Sequence, residues 1–251
     1  MIDFSLLKQN LYSISHSDVL AFLKTIPDQS VDLILTDPPY ESLEKHRAIG
    51  SDPRLKNWFS VIPNSMFEDL FKEFFRILKK NCHLYVFADQ ETMFAIKPIG
   101  EKHKFKFWKP IIWDKCKIGM GFHYRARYET ILFFEKGKRK LNNLGIPDVL
   151  AVKKIYNKYP TEKPVDLLKI FLEQSTTPGC VVLDPFMGSG SCGQACLEMG
   201  RLFIGNDISQ VSIDLATKRL EDIKAGLVPV QLDLPLIESD ESETNKGEEN
   251  E

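Results

Sequence analysis

One run constrains this chain more than any other: Val31-Asp32-Leu33-Ile34-Leu35, followed at once by Thr36-Asp37-Pro38-Pro39-Tyr40. The first five residues read as a buried strand. The paired prolines stop it and hold the next residues extended, because proline fixes φ and has no N–H to donate. A carboxylate, two carbonyls and an aromatic face are thereby presented at the C-terminal end of a strand, where open α/β sheets bind ligands. The set suits a planar ring bearing an NH2 group, which would stack on Tyr40 and donate to Asp37 and a carbonyl. A solvated Pro-Pro turn is the plainer alternative.

A second strand ends the same way. Val181-Val182-Leu183-Asp184-Pro185-Phe186-Met187-Gly188-Ser189-Gly190-Ser191 is an apolar run closed by Asp-Pro, then a glycine loop that opens a helix. Together the two stretches resemble the S-adenosylmethionine-dependent DNA amino-methyltransferases. Asp-Pro-Pro-Tyr ahead of the glycine loop is the order of the permuted (beta) group. The resemblance spans roughly residues 11 to 224. It implies a doubly wound, seven-stranded, mostly parallel sheet with one antiparallel strand, a circularly permuted Rossmann-like methyltransferase fold. The run Tyr128–Glu135 is the candidate for the antiparallel strand, and the permutation break falls between the strands ending at Ile204 and beginning at Leu11.

The resemblance also assigns roles. Asp37, Pro38, Pro39 and Tyr40 form the catalytic turn. The cofactor falls to His16, Asp18, Asp184, Pro185, Phe186, Gly188, Ser189, Gly190, Asp207 and Ile208, with Thr161 and Lys163 of Tyr159-Pro160-Thr161-Glu162-Lys163-Pro164 at its methionine end. Tyr159 departs from the histidine usual at that position. Asp18 reads equally as the N-cap of a helix over 19–24. Gly188, Gly190 and Gly193 also match G-x-G-x-x-G, with Asp207 beyond, so an NAD-dependent oxidoreductase is a second reading. Against it, the strand ends in Asp-Pro instead of running into the first glycine, and one further βα unit is all that follows.

Between these motifs the chain punctuates itself. Ser65-Met66-Phe67-Glu68 reads as a capping box. Phe67, Leu70, Phe71, Phe74, Phe75 and Leu78 then mark one helix face. Strands are expected at 11–15, 83–88 and from Lys109 to Asp114, and helices at 91–100, from Pro164, and at 209–220. Residues 41–63 show no periodicity and read as a mobile loop. The short polar stretch 136–158 is the room available for a target-recognition region, and 225–251 reads as an acidic, disordered tail. Residues 1–224 are expected to be one methyltransferase domain.

Charge points to a partner. Lys97–Lys140 holds 13 Lys/Arg against four acids, a local +9, whereas residues 238–251 hold seven acids and one lysine. The basic residues interleave with aromatics, the composition of a nucleic-acid face. Arg47, Arg54 and Lys56 in the 41–63 loop, Tyr124, Arg125 and Arg127 in a glycine-bearing loop, and Lys138 and Arg139 are the candidate contacts to double-stranded DNA. No apolar run approaches the ~18 residues of a membrane span, and no secretion signal is read. Five scattered cysteines fit reduced thiols and a cytoplasmic location. The resemblance adds a homodimer and a cognate restriction endonuclease as partners.

The chemistry follows from the amine. Its lone pair is delocalised into the ring, so acceptors at Asp37 and the Pro38 carbonyl would localise it and stabilise the charge that develops as a methyl group arrives. A base must leave the duplex to reach such a pocket. No cysteine lies near Asp37 in sequence, which argues against thiolate attack on cytosine C5. The resemblance associates Asp-Pro-Pro-Tyr mainly with adenine and Ser-Pro-Pro-Tyr mainly with cytosine N4, which makes adenine N6 the expected acceptor. Cytosine N4 is the alternative, since the same pocket logic serves either amine, and a catalytically dead DNA-binding relative is a third reading.

Overall fold

The structure, a computed structural model, describes residues 2–42, 61–119, 124–156, 159 and 161–226. Most of the 41–63 loop and nearly all of the acidic tail lie outside these. In chain order the elements are α1 (Phe4–Asn10), β1 (Tyr12–His16), α2 (Val19–Leu23), β2 (Val31–Thr36), α3 (Met66–Ile77), β3 (Leu78–Ala88), α4 (Gln90–Lys102), β4 (Lys106–Asp114), β5 (Tyr128–Lys136), β6 (Val149–Ala151), α5 (Val165–Ser175), β7 (Val181–Asp184), α6 (Ser191–Glu198), β8 (Leu202–Asp207) and α7 (Gln210–Lys224).

The strands form one sheet in the order β1-β8-β7-β2-β3-β5-β4-β6. Every neighbouring pair is parallel except those made by β5, which runs against both β3 and β4. The sheet has eight strands where seven were expected. The extra one is β6, a three-residue strand on the edge beside β4, drawn from the stretch 136–158. The first strand, β1, pairs in parallel with the last, β8, as the permuted order requires.

Both faces of the sheet are covered, so the central strands read as near-continuous apolar runs. Along β5, Leu132 and Phe134 enter one core with α3 and α4, while Ile131 and Phe133 enter the other with α5. The first core is an aromatic cluster. The Phe134 ring meets Phe71, Phe105 and Phe107 at centroid distances of 5.4, 6.2 and 5.3 Å, within the range where edge-on and tilted contacts add to burial.

Two local expectations change. The capping box at Ser65 does not form: Ser65 has helical φ and ψ and no side-chain cap bond. Glu68 turns instead to Lys102 and His103 at the end of α4, each 2.8 Å away. The short helix α1, capped by Asp3, gave no sequence signal, because seven residues with a single buried side chain make no periodic stripe.

The connections β7–α6–β8 and β2–α3–β3 leave in opposite directions from the two central strands. Their C-terminal ends therefore border a crevice at the topological switch point. Asp184 and Asp37 both lie there.

Phe134→Ala is expected to lower the unfolding free energy by about 3–5 kcal/mol, measured by urea denaturation; a loss below about 1 kcal/mol would show that this ring cluster is not where the sheet is held.

Candidate active site

The crevice opens into a cavity of about 530 Å3. Its centre is the junction of β2 and β7, whose residues pair as Leu33 with Val182 and Ile34 with Leu183. Just beyond the pairing, the Thr36 hydroxyl donates to Asp184 Oδ1 at 2.9 Å, and the Phe186 N–H donates to the same oxygen at 3.2 Å. Burial pushes the Asp184 carboxyl up to about 7, against these two donors.

The Asp-Pro-Pro-Tyr turn is pinned from outside. The Ile62 N–H donates to the Pro39 carbonyl at 2.8 Å, and Tyr40 bridges to Ile62. The Asn64 N–H donates to Glu41 at 3.1 Å, and the Ser42 hydroxyl donates to Asp89, the N-cap of α4. The Pro39 carbonyl is thus engaged, while Asp37 and Pro38 line the cavity beside it. Burial raises the Asp37 carboxyl from its ordinary range, and Lys163 opposes that rise.

On the other side the glycine loop is folded onto β8. Gly188 N–H donates to Asp207 Oδ2 at 3.0 Å and Ser209 N–H to Oδ1 at 2.8 Å. Gly190 has φ +80, and a Cβ there would stand 2.8 Å from the Ala216 Cβ, so that position tolerates no side chain. A Cβ on Gly188 would meet the Tyr159 hydroxyl at 2.9 Å. Tyr159 thus packs over the loop, its hydroxyl 3.2 Å from Ser212 Oγ.

The sequence-derived residues mostly converge. Asp37, Pro38, Pro39, Tyr40, Asp18, Thr161, Lys163, Asp184, Pro185, Phe186, Gly188, Ser189, Asp207 and Ile208 all line the cavity. His16 and Gly190 do not; they support it. His16 Nε2 donates to the Ile208 carbonyl at 2.9 Å, and Gly190 sets the turn into α6. Asp18 caps α2 through the Ala21 N–H at 3.0 Å while also reaching the cavity wall, so both of its readings hold together. Lys163 lines the wall in contact with two acids. Its ammonium pairs with Asp37 and approaches Glu129 at 3.5 Å.

Other wall residues gave no sequence signal. Glu129 is the second residue of β5, and Asn206 links β8 to the β1 end through Ser17 Oγ at 3.0 Å and the Ser17 carbonyl at 3.1 Å. Cys192 also reaches the wall despite its distance from Asp37 in sequence. A hydrogen bond with Cys196 and burial hold its thiol well above the usual range, so no thiolate is on hand for attack on a ring carbon.

The DNA candidates divide. Tyr124, Arg125 and Arg127 sit in the β4–β5 loop, on the cavity's edge of the sheet. Tyr124 is fully exposed, Arg125 donates to the Gly119 carbonyl at 2.6 Å, and Arg127 grips Asp114 through Nε and Nη2 at 2.7 and 2.8 Å. Lys138 and Arg139 are not brought to them. They follow the C-terminal end of β5, whose Lys136 pairs with Cys82 at the far end of β3, roughly 15 Å along the strand from the site. The antiparallel course of β5 carries that half of the basic stretch away. Arg47, Arg54 and Lys56 lie outside the described residues.

With the geometry in hand, comparison with known proteins is decisive. The DNA methylase family (N6_N4_Mtase) matches residues 31–218. The chain belongs to this family. DNA adenine methyltransferase YhdJ of Escherichia coli (strain K12) is 29% identical over 250 residues, spanning 83% of this chain and 82% of that protein. Type II methyltransferase M.HinfI of Haemophilus influenzae is 28% identical over 257 residues, spanning 88% and 72%. Among solved structures, the M1.HpyAVI-SAM complex superposes with a TM-score of 0.65 at 25% identity, covering 83% of this chain and all of the other. PvuII DNA methyltransferase (cytosine-N4-specific) superposes at 0.66 with 17% identity, covering 82% and 85%, and shares the fold.

The chain is accordingly a DNA methyltransferase whose cofactor is S-adenosylmethionine. The wall chemistry fits that group. Asp18, Asp37, Glu129, Glu162, Asp184 and Asp207 line the cavity against two lysines, Lys154 and Lys163. Glu162 is paired with Arg219, and Asp37 and Glu129 with Lys163 and Lys115. The remaining anionic edge at Asp18 and Asp207 suits a ligand with amine and hydroxyl donors. It repels a pyrophosphate, and the Gly188 N–H that might receive one is already bound to Asp207. That disfavours the dinucleotide reading on physical grounds.

The raised Asp184 carboxyl makes a testable contribution to stability. Between about pH 4 and 7 the folded chain holds a proton that the unfolded chain has released, so this contribution is present at low pH and is lost as pH rises through 7. Relative to Asp184→Asn, the ligand-free wild type is expected to lose stability from pH 5 to pH 8, by at most about 1.4 kcal/mol per pH unit. Urea titrations at the two values read the difference, and a wild type that gains on the variant would have the opposite sign.

Proposed function

We propose that this DNA methyltransferase is site-specific for adenine and delivers the methyl group to N6 of a base turned out of the duplex. The observation that carries this reading is that Asp37, Pro38 and Tyr40 line one cavity while the Pro39 carbonyl is bound to Ile62, which supports Asp37 and the Pro38 carbonyl as the acceptor pair. An exocyclic NH2 donating one hydrogen to each acceptor has its lone pair turned out of conjugation with the ring, and the positive charge that develops on nitrogen lies against a carboxylate. S-adenosylmethionine supplies the methyl group, already activated on sulfur. Asp-Pro-Pro-Tyr in place of Ser-Pro-Pro-Tyr, and the similarity to a protein named as a DNA adenine methyltransferase, favour adenine over cytosine N4.

Within this reading Asp207 would take the ribose hydroxyls, Asp18 the adenine amine of the cofactor, and Phe186 and Ile208 its ring faces. The Tyr124–Arg127 loop and the 41–63 loop would approach the DNA, as a homodimer or alone, and a cognate endonuclease would be the partner in a restriction pair. Asp207 already receives two N–H donors and has further lone pairs to offer. Asp207→Ala is expected to weaken S-adenosylmethionine binding by roughly 1.5–3 kcal/mol in titration calorimetry, and an unchanged dissociation constant would remove Asp207 from the site.

The acceptor is identified by digesting duplex DNA after reaction with a labelled methyl donor. Label is expected in N6-methyladenine. Label confined to N4-methylcytosine would overturn the choice of base. Asp37→Ala is expected to abolish transfer with cofactor affinity nearly intact, and Tyr40→Ala to lose stacking worth about 1–3 kcal/mol.

A further inference from the structure

Asp37 does not stand alone in the wall. Its carboxylate is the end of a chain of partly buried charges drawn from separate parts of the sequence: Asp37 after β2, Lys163 before α5, Glu129 in β5, and Lys115 in the β4–β5 loop. The Lys163 ammonium donates to Asp37 Oδ2, stands 3.5 Å from Glu129 Oε2, and lies 3.4 Å from the Thr161 carbonyl. Lys115 holds the other Glu129 oxygen at 2.7 Å. Three oxygens of the chain itself thus lie within 3.5 Å of the Lys163 ammonium. The lysine is spoken for before any ligand enters.

We propose that Glu129 and Lys163 are positioning residues for Asp37: Glu129 fixes the ammonium, and the ammonium occupies one Asp37 oxygen so that the other meets the substrate amine. The inference rests on the reading of Asp37 as the acceptor for that amine. Three observations support it. The first is economy of charge. Two carboxylates and two ammonium groups form a neutral set, in which Lys163 opposes the rise that burial imposes on Asp37. Burial works to raise Glu129, and Lys163 and Lys115 outweigh it, holding the group below the usual range. Burial works to lower Lys163, and Asp37 and Glu129 outweigh that, raising it. The second is location. An ion chain adds little to stability compared with apolar packing, yet three of these four groups, Asp37, Glu129 and Lys163, lie in the wall of the reaction cavity. The third is consequence. A buried carboxyl without its cation takes up a proton, and a protonated Asp37 would turn an acceptor into a donor facing the amine.

The charged and titratable groups around Asp37 define the test. Lys163 faces it from the segment before α5, Glu129 from β5, Lys115 from the β4–β5 loop, Asp184 from the end of β7, and Tyr40 from its own turn, while Lys154 after β6 faces Glu129. Removing Lys163 takes away the nearest cation, and removing the Glu129 charge takes away a repelling anion. The two changes push Asp37 in opposite directions.

The experiment measures single-turnover methylation against pH, with saturating S-adenosylmethionine and duplex DNA carrying the site found by modified-base sequencing. The acid limb is expected to move up by a pH unit or more in Lys163→Met and down in Glu129→Gln. The plateau should fall at least tenfold in both, with partial recovery in Lys163→Arg. The dissociation constant of S-adenosylmethionine should stay within threefold of wild type, which also reports that each variant is folded. Limbs that stay put, that move together, or a cofactor affinity that falls in step with the rate would overturn the proposal. Asp37→Asn separates it from its premise. An inactive Asp37→Asn beside unmoved limbs sinks this inference alone, whereas an active one sinks the reading of Asp37 and the inference with it.

Discussion

The hydrogen bond from Thr36 to Asp184 joins the C-terminal ends of the two strands on which everything else is mounted. It lies where the chain's two directions of winding part, so no covalent connection bridges β2 and β7 at that point. A hydroxyl supplied by one strand and a buried carboxyl supplied by the other hold the crevice at fixed width. The Asp-Pro-Pro-Tyr turn leaves from one side and the glycine loop from the other, and each inherits its position from that contact.

Around this junction the wall is electrostatically divided. On the β8 side the carboxylate of Asp207 is satisfied by backbone N–H groups, which order the loop without cancelling its charge. On the β5 side the carboxylates of Asp37 and Glu129 are matched by ammonium groups. On the proposed reading the cofactor would take the first half and the substrate amine the second, although both halves are built from acids. The distinction is made by what each acid is bonded to, not by residue type.

Much of this was legible in the sequence because strand, Asp-Pro and glycine signals are local. Asp37, Asp184 and Asp207 each stand at the end of an apolar run, and that position alone places them at one edge of a parallel sheet. Glu129 was not legible, since an acid at the second position of a strand looks like any solvated strand start, and its partner Lys163 is brought in by the tertiary fold. Lys138 and Arg139 were misgrouped because composition carries no direction; the antiparallel course of β5 sends them to the far edge. Cys192 was overlooked in the same way, since distance along the chain says nothing about the first turn of a helix beneath a neighbouring strand. The eighth strand, three residues long, is too short for any period to mark.

The fastenings at Tyr40–Ile62, Glu41–Asn64 and Ser42–Asp89 make residues 39–42 and 61–64 a closed collar beside the cavity. Whatever is inserted between them is entered and left at fixed points, so its length is decoupled from the geometry of the turn. In mechanical terms the collar ties both flanks of the turn to the body of the fold, so Asp37 is braced from outside the cavity as well as from the sheet.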